Sequence, residues 1–182
     1  MRIITGSAKG IKLKTLEGNN TRPTADRVKE AVFSIIQFDL DSRNILDLFA
    51  GSGQMALEAL SRGAAKATLV DKSKEAVAII KENAQKTKFF DRCQIYQSDY
   101  ADFLKRGLSA PFDIVFIDPP YDLNAYSPAL KSLLSGGLLK PTSIIICESR
   151  DESVFDSEVM EKFSVIKQVR YGTALVTILK IS

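Results

Sequence analysis

From Asn44 onward, short runs of consecutive apolar residues alternate with longer stretches whose apolar positions recur every three or four residues. This predicts strands at 45–49, 67–71, 93–97, 113–118 and 143–148, with helices between them at 54–62, 73–87, 99–106 and 126–135. Ile114–Ile117 and Ser143–Cys147 are almost wholly apolar, as parallel strands covered on both faces must be. Ser73 is placed to cap the second of these helices, and Gly136-Gly137 to stop the last. The alternation predicts an α/β fold, a doubly wound and mostly parallel sheet. The rhythm breaks at the end, where 163–169 and 174–181 both alternate as strands. Tyr171-Gly172-Thr173 is too short a link for a parallel crossover, so these two strands are expected to pair as an antiparallel hairpin.

The first forty residues follow a different pattern. Arg2–Thr5 and Ile11–Thr15 alternate on either side of Gly6-Ser7-Ala8-Lys9-Gly10, which predicts a β-hairpin with Lys9, Lys12 and Lys14 on its tip and solvent face. A helix follows, with Thr24 as its expected N-cap and Val28, Val32, Ile35 and Ile36 on its buried face. Residues 1–40 therefore read as an appendage and 41–182 as the main domain. No internal repeat or low-complexity segment is visible.

Composition narrows the class. At 182 residues, with 45% hydrophobic and 26% charged content, the chain is an ordinary globular domain rather than a disordered one. No apolar run approaches a membrane span and no signal peptide is visible, so a cytoplasmic protein is expected. Cys93 and Cys147 share no metal-ligand spacing and read as reduced core thiols. Histidine is absent, which removes imidazole bases, His-dependent triads and most zinc sites; no metal is expected. The chemistry must suit an electrophile that is already activated. The formal charge of +3 is uneven: residues 1–30 hold seven basic groups (among them Arg22 and Arg27) against three acids, about +4, leaving −1 elsewhere. A basic end on a near-neutral body suggests phosphate contacts, although a solvated surface explains it too.

Three stretches carry candidate chemistry. Ile45–Phe49 runs into Ala50-Gly51-Ser52-Gly53, a strand–glycine turn–helix unit with Ala56 in the third place of the G-x-G-x-x-G/A pattern. Such a turn cradles nucleotide-like cofactors, yet it also occurs as a plain strand-to-helix turn. Asp47, inside the strand, is placed to order the loop or meet a ligand amine. Asp71 closes the second strand, where an acid takes the hydroxyls of a ribose. Asp99 closes the third and is placed either to meet a base amine, with Tyr100 packed on the ring, or to cap the next helix. Asp118-Pro119-Pro120-Tyr121 ends the fourth. The prolines fix φ and offer carbonyl acceptors, Asp118 adds a carboxylate and Tyr121 a flat face. Acceptors beside an aromatic plate suit a planar substrate bearing an exocyclic amine. Methyl transfer from a sulfonium to that amine needs positioning and desolvation more than a strong base.

The sequence resembles the RsmD family, S-adenosylmethionine-dependent methyltransferases of a guanine N2 amine in 16S ribosomal RNA. The resemblance spans nearly the whole chain: Met1-Arg2-Ile3-Ile4-x-Gly6, Lys9-Gly10-x-Lys12-Leu13, Thr21-Arg22-Pro23-Thr24-x-Asp26-Arg27-Val28-Lys29-Glu30-Ala31, Asp47–Gly53, Glu58–Ala64 and Asp118–Tyr121. It implies a Rossmann-like class I methyltransferase, a seven-stranded sheet with an antiparallel last strand. It implies that Asp47, Phe49, Ala50, Gly51, Ser52 and Gly53 hold the methionine part of S-adenosylmethionine, Asp71 with Lys72 the ribose, and Asp99 with Tyr100 the adenine. Asp118, Pro119, Pro120 and Tyr121 would hold the target guanine. Lys9, Lys12, Lys14, Arg22, Pro23, Thr24 and Arg27 would meet RNA, in a small ribosomal subunit or its assembly intermediate. A monomer is expected. The family commonly has glycine where this chain has Ala56, a departure of one methyl where helix and strand pack. Methylation of DNA adenine or protein glutamine shares the Asp-Pro-Pro-Tyr motif but more often begins it with Asn. A nicotinamide oxidoreductase shares the glycine loop and Asp71, and a non-catalytic RNA-binding protein shares the basic end.

Overall fold

The computed structural model describes residues 1–16, 23–106, 110–120 and 122–182, with only the backbone of 23–25. Seven strands form one sheet: β1 (Asn44–Asp47), β2 (Lys66–Asp71), β3 (Cys93–Gln97), β4 (Phe112–Ile117), β5 (Leu139–Ser149), β6 (Phe163–Tyr171) and β7 (Ala174–Ile181), ordered β3-β2-β1-β4-β5-β7-β6. β7 pairs antiparallel with both neighbours, and every other pairing is parallel. The helices are α1 (Pro23–Ile35), α2 (Gln54–Ser61), α3 (Lys74–Lys86), α4 (Tyr100–Leu104), α5 (Tyr126–Ser135) and α6 (Ser157–Met160).

Alternation along the strands builds two cores. Ile45, Leu69, Ile114, Phe116, Ile146 and Val176 face one way, against Val32 and Phe33 of α1, Leu57 and Leu60 of α2 and Ile80 of α3. Leu46, Val70, Val115, Ile117 and Cys147 face the other way, against Phe103 of α4, Leu130 and Leu133 of α5 and Val159 of α6. This is a three-layer α/β/α sandwich, and its strand order reverses between β1 and β4. Clefts over the carboxyl ends of open parallel sheets form at such a switch.

Several sequence-based boundaries shift. β1 ends at Asp47 rather than Phe49, because Ala50 N–H turns away to the Val70 carbonyl at 3.0 Å. The helix predicted at 99–106 shrinks to Tyr100–Leu104. α1 begins at Pro23, so Thr24 lies inside its first turn and is not the cap. Ser73 does cap α3, accepting from Ala76 N–H at 3.2 Å.

The N-terminal hairpin closes through one bridge, Arg2 opposite Lys12, with Ile3 N–H on the Ile11 carbonyl at 3.0 Å, Gly10 N–H on the Ile3 carbonyl at 2.9 Å and Leu13 N–H on the Met1 carbonyl at 3.1 Å. Further backbone donors of its two arms are taken by side chains of α2 and α3. Ile4 and Thr5 N–H go to the Glu58 carboxylate at 2.8 and 3.0 Å, and Lys14 N–H to Asn83 Oδ1 at 2.8 Å. The turn itself sits on the end of α2, with Ser7 N–H on the Ser61 carbonyl and Ala8 N–H on Ser61 Oγ. Only glycine fits at Gly6, where φ is +87° and a Cβ would lie 1.8 Å from the Ser61 carbonyl oxygen. Ile3, Ala8 and Leu13 complete the first core.

Candidate active site

The carboxyl edge of the sheet opens into a cavity of about 500 Å³. The loop after β1 forms its floor. Gly51 and Gly53 take φ of +54° and +77°, which folds the chain tightly enough for Gly53 N–H to reach the Ala50 carbonyl at 2.6 Å. Gly53 packs backwards, where a Cβ would press within 3.1 Å of Leu69, whereas a Cβ on Gly51 would meet no protein atom. The loop is held from three sides. Asp71 accepts Gly51 N–H at 2.8 Å and Ser73 N–H at 2.8 Å, so its carboxylate orders the loop as well as facing the cavity. Asn83 of α3 donates to the Ser52 carbonyl at 2.9 Å and to the Lys14 carbonyl at 3.0 Å. Asp47 accepts the backbone N–H groups of Phe49 and Ala56.

Of the residues singled out from sequence, Phe49, Ala50, Gly51, Ser52, Asp71, Lys72, Asp99, Tyr100, Asp118, Pro119 and Pro120 line this one cavity. Gly53 lies behind it. Asp47 lines an adjoining hollow of about 120 Å³ under α1, which also contains Phe49, Ala50, Gln54, Asp118 and Glu148. Asp99 caps α4 through Ala101 N–H at 2.8 Å, as one of its two readings has it, and also lines the cavity. Phe49 and Tyr100 pack against each other at 5.1 Å with their rings tilted by 44°, an aromatic wall.

The basic residues sit elsewhere. Lys9, Lys12 and Arg27 are exposed and line neither hollow. Lys14 is paired with Glu82 at 2.8 Å. Lys29, one of the seven basic groups at this end of the chain, is buried, paired with Glu58 at 3.7 Å and bonded to the Arg2 carbonyl at 2.6 Å. Arg22, Tyr121 and the side chains of Pro23 and Thr24 lie outside the described residues.

Three details depart from the sequence reading. The Pro120 carbonyl is not a free acceptor: Leu123 N–H takes it at 2.8 Å. Among the described residues no donor reaches the Pro119 carbonyl, which stays available. Glu148, near the end of β5, was not singled out, yet it lines both hollows. Its signal was a lone acid closing an apolar strand, the feature that marked Asp71 and Asp118. Gln54 was also passed over; its buried Oε1 has no partner among the described residues and it lines the cavity beside the loop.

The site is electrostatically loaded. Burial pushes the Asp47 carboxyl up to about 7, with the charge of Asp71 adding to it, against two backbone N–H bonds that favour the anion. Asp118 opens to water through the cavity mouth yet is hemmed in by protein; desolvation, then Glu148, then Asp47 hold its carboxyl well above the usual range. Burial raises Glu148 as well. Asp47, Asp118 and Glu148 therefore form an acidic corner, buried at Asp47 and open to water at Asp118, beside an apolar-walled cleft.

The chain matches the family described as Conserved hypothetical protein 95 over residues 1–180. It is 37% identical over 174 residues to Ribosomal RNA small subunit methyltransferase D of Haemophilus influenzae, covering 94% of this chain and 89% of that one. The chain belongs to the ribosomal RNA small subunit methyltransferase D family. YlbH of Bacillus subtilis is 34% identical over 182 residues, 99% of this chain and 98% of the relative. The solved structure of yhhF from Escherichia coli superposes with a TM-score of 0.87 at 30% identity, covering 100% of this chain and 98% of that one. The Asp-Pro-Pro segment and the glycine loop of this family member thus face each other across a single cavity. Among the described residues no helix is long and apolar enough to cross a membrane, and no cluster of acids and cysteines forms a metal site.

Proposed function

We propose that this protein transfers a methyl group from S-adenosylmethionine to the exocyclic N2 amine of a guanine in 16S rRNA of the small ribosomal subunit. One observation carries the reading. The glycine loop, Asp71 and Asp99 share a cavity with Asp118 and Pro119, in a family whose relatives are named for ribosomal RNA small subunit methylation.

The residues present fit the cofactor. Gln54 holds a buried polar atom without a partner, facing the place where an amino acid head group would lie beside the loop. The N-terminus of α2 opens on the same side and favours a carboxylate. Gly51 leaves room for close approach, Asp71 has lone pairs to spare for a ribose, and the Phe49–Tyr100 wall suits a flat ring with Asp99 at its edge. The cavity volume lies in the range of small-molecule sites.

S-adenosylmethionine, when bound, supplies a methyl carbon already activated by its sulfonium. The protein's part is to present the amine. Asp118 and the Pro119 carbonyl accept its two hydrogens, which fixes the amine's plane and aims the nitrogen lone pair across the cavity. An amine that takes up a methyl group would have one proton to shed. The Asp118 carboxylate is the acceptor within reach, and its carboxyl, held well above the usual range, is the better able to take that proton. No histidine is needed.

The test is methyl transfer from labelled S-adenosylmethionine to unmodified small ribosomal subunits, DNA and a protein extract in parallel, followed by nucleoside analysis. N2-methylguanosine from the subunits alone is the expected product. Label in DNA or protein instead would overturn the substrate.

A further inference from the structure

Asp118 and Glu148 stand side by side. The last parallel pair between β4 and β5 is Ile117 with Cys147, so the next rung carries these two carboxylates on strands about 4.8 Å apart. Ile117 and Cys147 face α5, so alternation turns Asp118 and Glu148 together to the opposite side, where both line the cavity and its side hollow. Among the described residues no donor reaches either carboxylate. β5 is fixed at this point: Glu148 pairs with Val176 of β7, and its carbonyl accepts the Tyr126 hydroxyl at 2.5 Å. A rigidly held, half-buried carboxylate without a protein partner, next to the acceptor of the target amine, awaits a donor from the substrate.

We propose that Glu148 accepts the ring N1–H of the target guanine while Asp118 and Pro119 hold its N2 amine, and so selects guanine over bases lacking that proton. The assignment rests on the guanine-N2 reading above. Guanine carries N1–H next to its amine, two adjacent donor positions that match two adjacent acceptors. A base with an unprotonated N1 would set a lone pair against the Glu148 carboxylate, and that repulsion supplies the discrimination. The groups facing Glu148 from neighbouring elements are Asp118, Asp47 at the end of β1, Lys29 on α1 and the Tyr126 hydroxyl on α5; β7 presents Val176. Lys29 is committed to Glu58 and the Arg2 carbonyl. The negative charge of Glu148 also contributes to the elevation of the Asp118 carboxyl.

The experiment compares wild type with Glu148→Gln on small subunits reconstituted with rRNA that carries either guanine or 2-aminopurine at the mapped target position. 2-Aminopurine keeps the amine and lacks N1–H. Wild type should prefer guanine in kcat/KM by about 10–100-fold, the discrimination expected of a paired base contact. Glu148→Gln, whose amide can donate to an unprotonated N1, should lose most of that preference. Its acidic pH–rate limb should also move to lower pH, because Asp118 no longer sits beside a second negative charge. Each protein serves as its own control, so partial loss of folded enzyme leaves the ratio intact. A wild type without the preference, a Gln variant that retains it, or an unmoved acidic limb overturns the role of Glu148 alone. Methylation by wild type at an atom other than guanine N2 overturns both this assignment and the reading beneath it.

Discussion

Glu58 and Asp118 are both carboxylates set against the protein interior, one sealed in and one open at the cavity mouth, and the chain treats them in opposite ways. Glu58, fully buried on α2, accepts from Ile4 and Thr5 N–H and from Arg62 Nε at 2.8 Å, with Lys29 at 3.7 Å. Every direction around it is answered. It ties the N-terminal segment, α1 and α2 into one unit. Asp118 has no donor among the described residues and two further carboxylates, Glu148 and Asp47, for company. A buried charge that is fully paired is a structural joint; one held in repulsion at a cavity is stored demand for a ligand. The difference separates what builds the fold from what is proposed to do the chemistry.

Two variants test this division. Asp118→Ala should lower kcat/KM for methyl transfer by about 10³-fold, in the range for loss of a proton acceptor, with S-adenosylmethionine affinity unchanged by calorimetry. The same variant should not be less stable than wild type. Because the folded-state carboxyl is held above its ordinary value, ionising it costs folding free energy. Wild-type stability therefore falls as pH rises from the ordinary carboxylate range through the raised one, and Asp118→Ala lacks that loss. Glu58→Gln should do the reverse. It leaves Lys29 charged and buried and turns an amide N–H towards backbone donors, a cost of about 3–5 kcal/mol by urea denaturation. Adding Lys29→Met should recover part of it, since an uncharged pair no longer carries the desolvation of an orphan ammonium. A stable Glu58→Gln beside an unfolded Asp118→Ala would invert the comparison.

How far the sequence reached follows the same line. The mostly parallel sheet and its antiparallel last strand were legible because buried parallel strands must be apolar throughout, and because Tyr171-Gly172-Thr173 leaves no room for a crossover; the strand order was not. The loop acids were legible because each closes such a strand. What stayed hidden depended on partners far along the chain. Arg2–Thr5 and Ile11–Thr15 pair as the alternation suggests, but their outer edges also bind Glu58 and Asn83, which no local alternation reveals. Lys29 reads as one more surface cation until the fold brings Glu58, 29 residues away, beneath it. Glu148 obeyed the rule that picked out Asp118, but a single acid without flanking prolines or a glycine turn did not stand out.

The smallest expected effect concerns the basic end, where charge count and charge availability diverge. Met1, Thr15 and Leu16 line the cavity, while the Gly6–Lys9 turn rests on Ser61 at the far end of α2. The segment is thus a ridge leading away from the cavity mouth, a track for the RNA proposed to enter there. Its three lysines are not equivalent. Lys9 and Lys12 are exposed without an ion pair among the described residues, whereas Lys14 is already matched by Glu82. Each phosphate contact released contributes about 0.7–0.9 to the slope of log affinity against log salt. Replacing Lys9 and Lys12 together with Gln should therefore flatten that slope by about 1.4–1.8, and adding Lys14→Gln should change it little further. Binding of small-subunit rRNA fragments measured across a salt series decides it. An unchanged slope in the triple variant would make the ridge an ordinary solvated surface. A slope that falls equally for each lysine would show that RNA displaces Glu82 from Lys14.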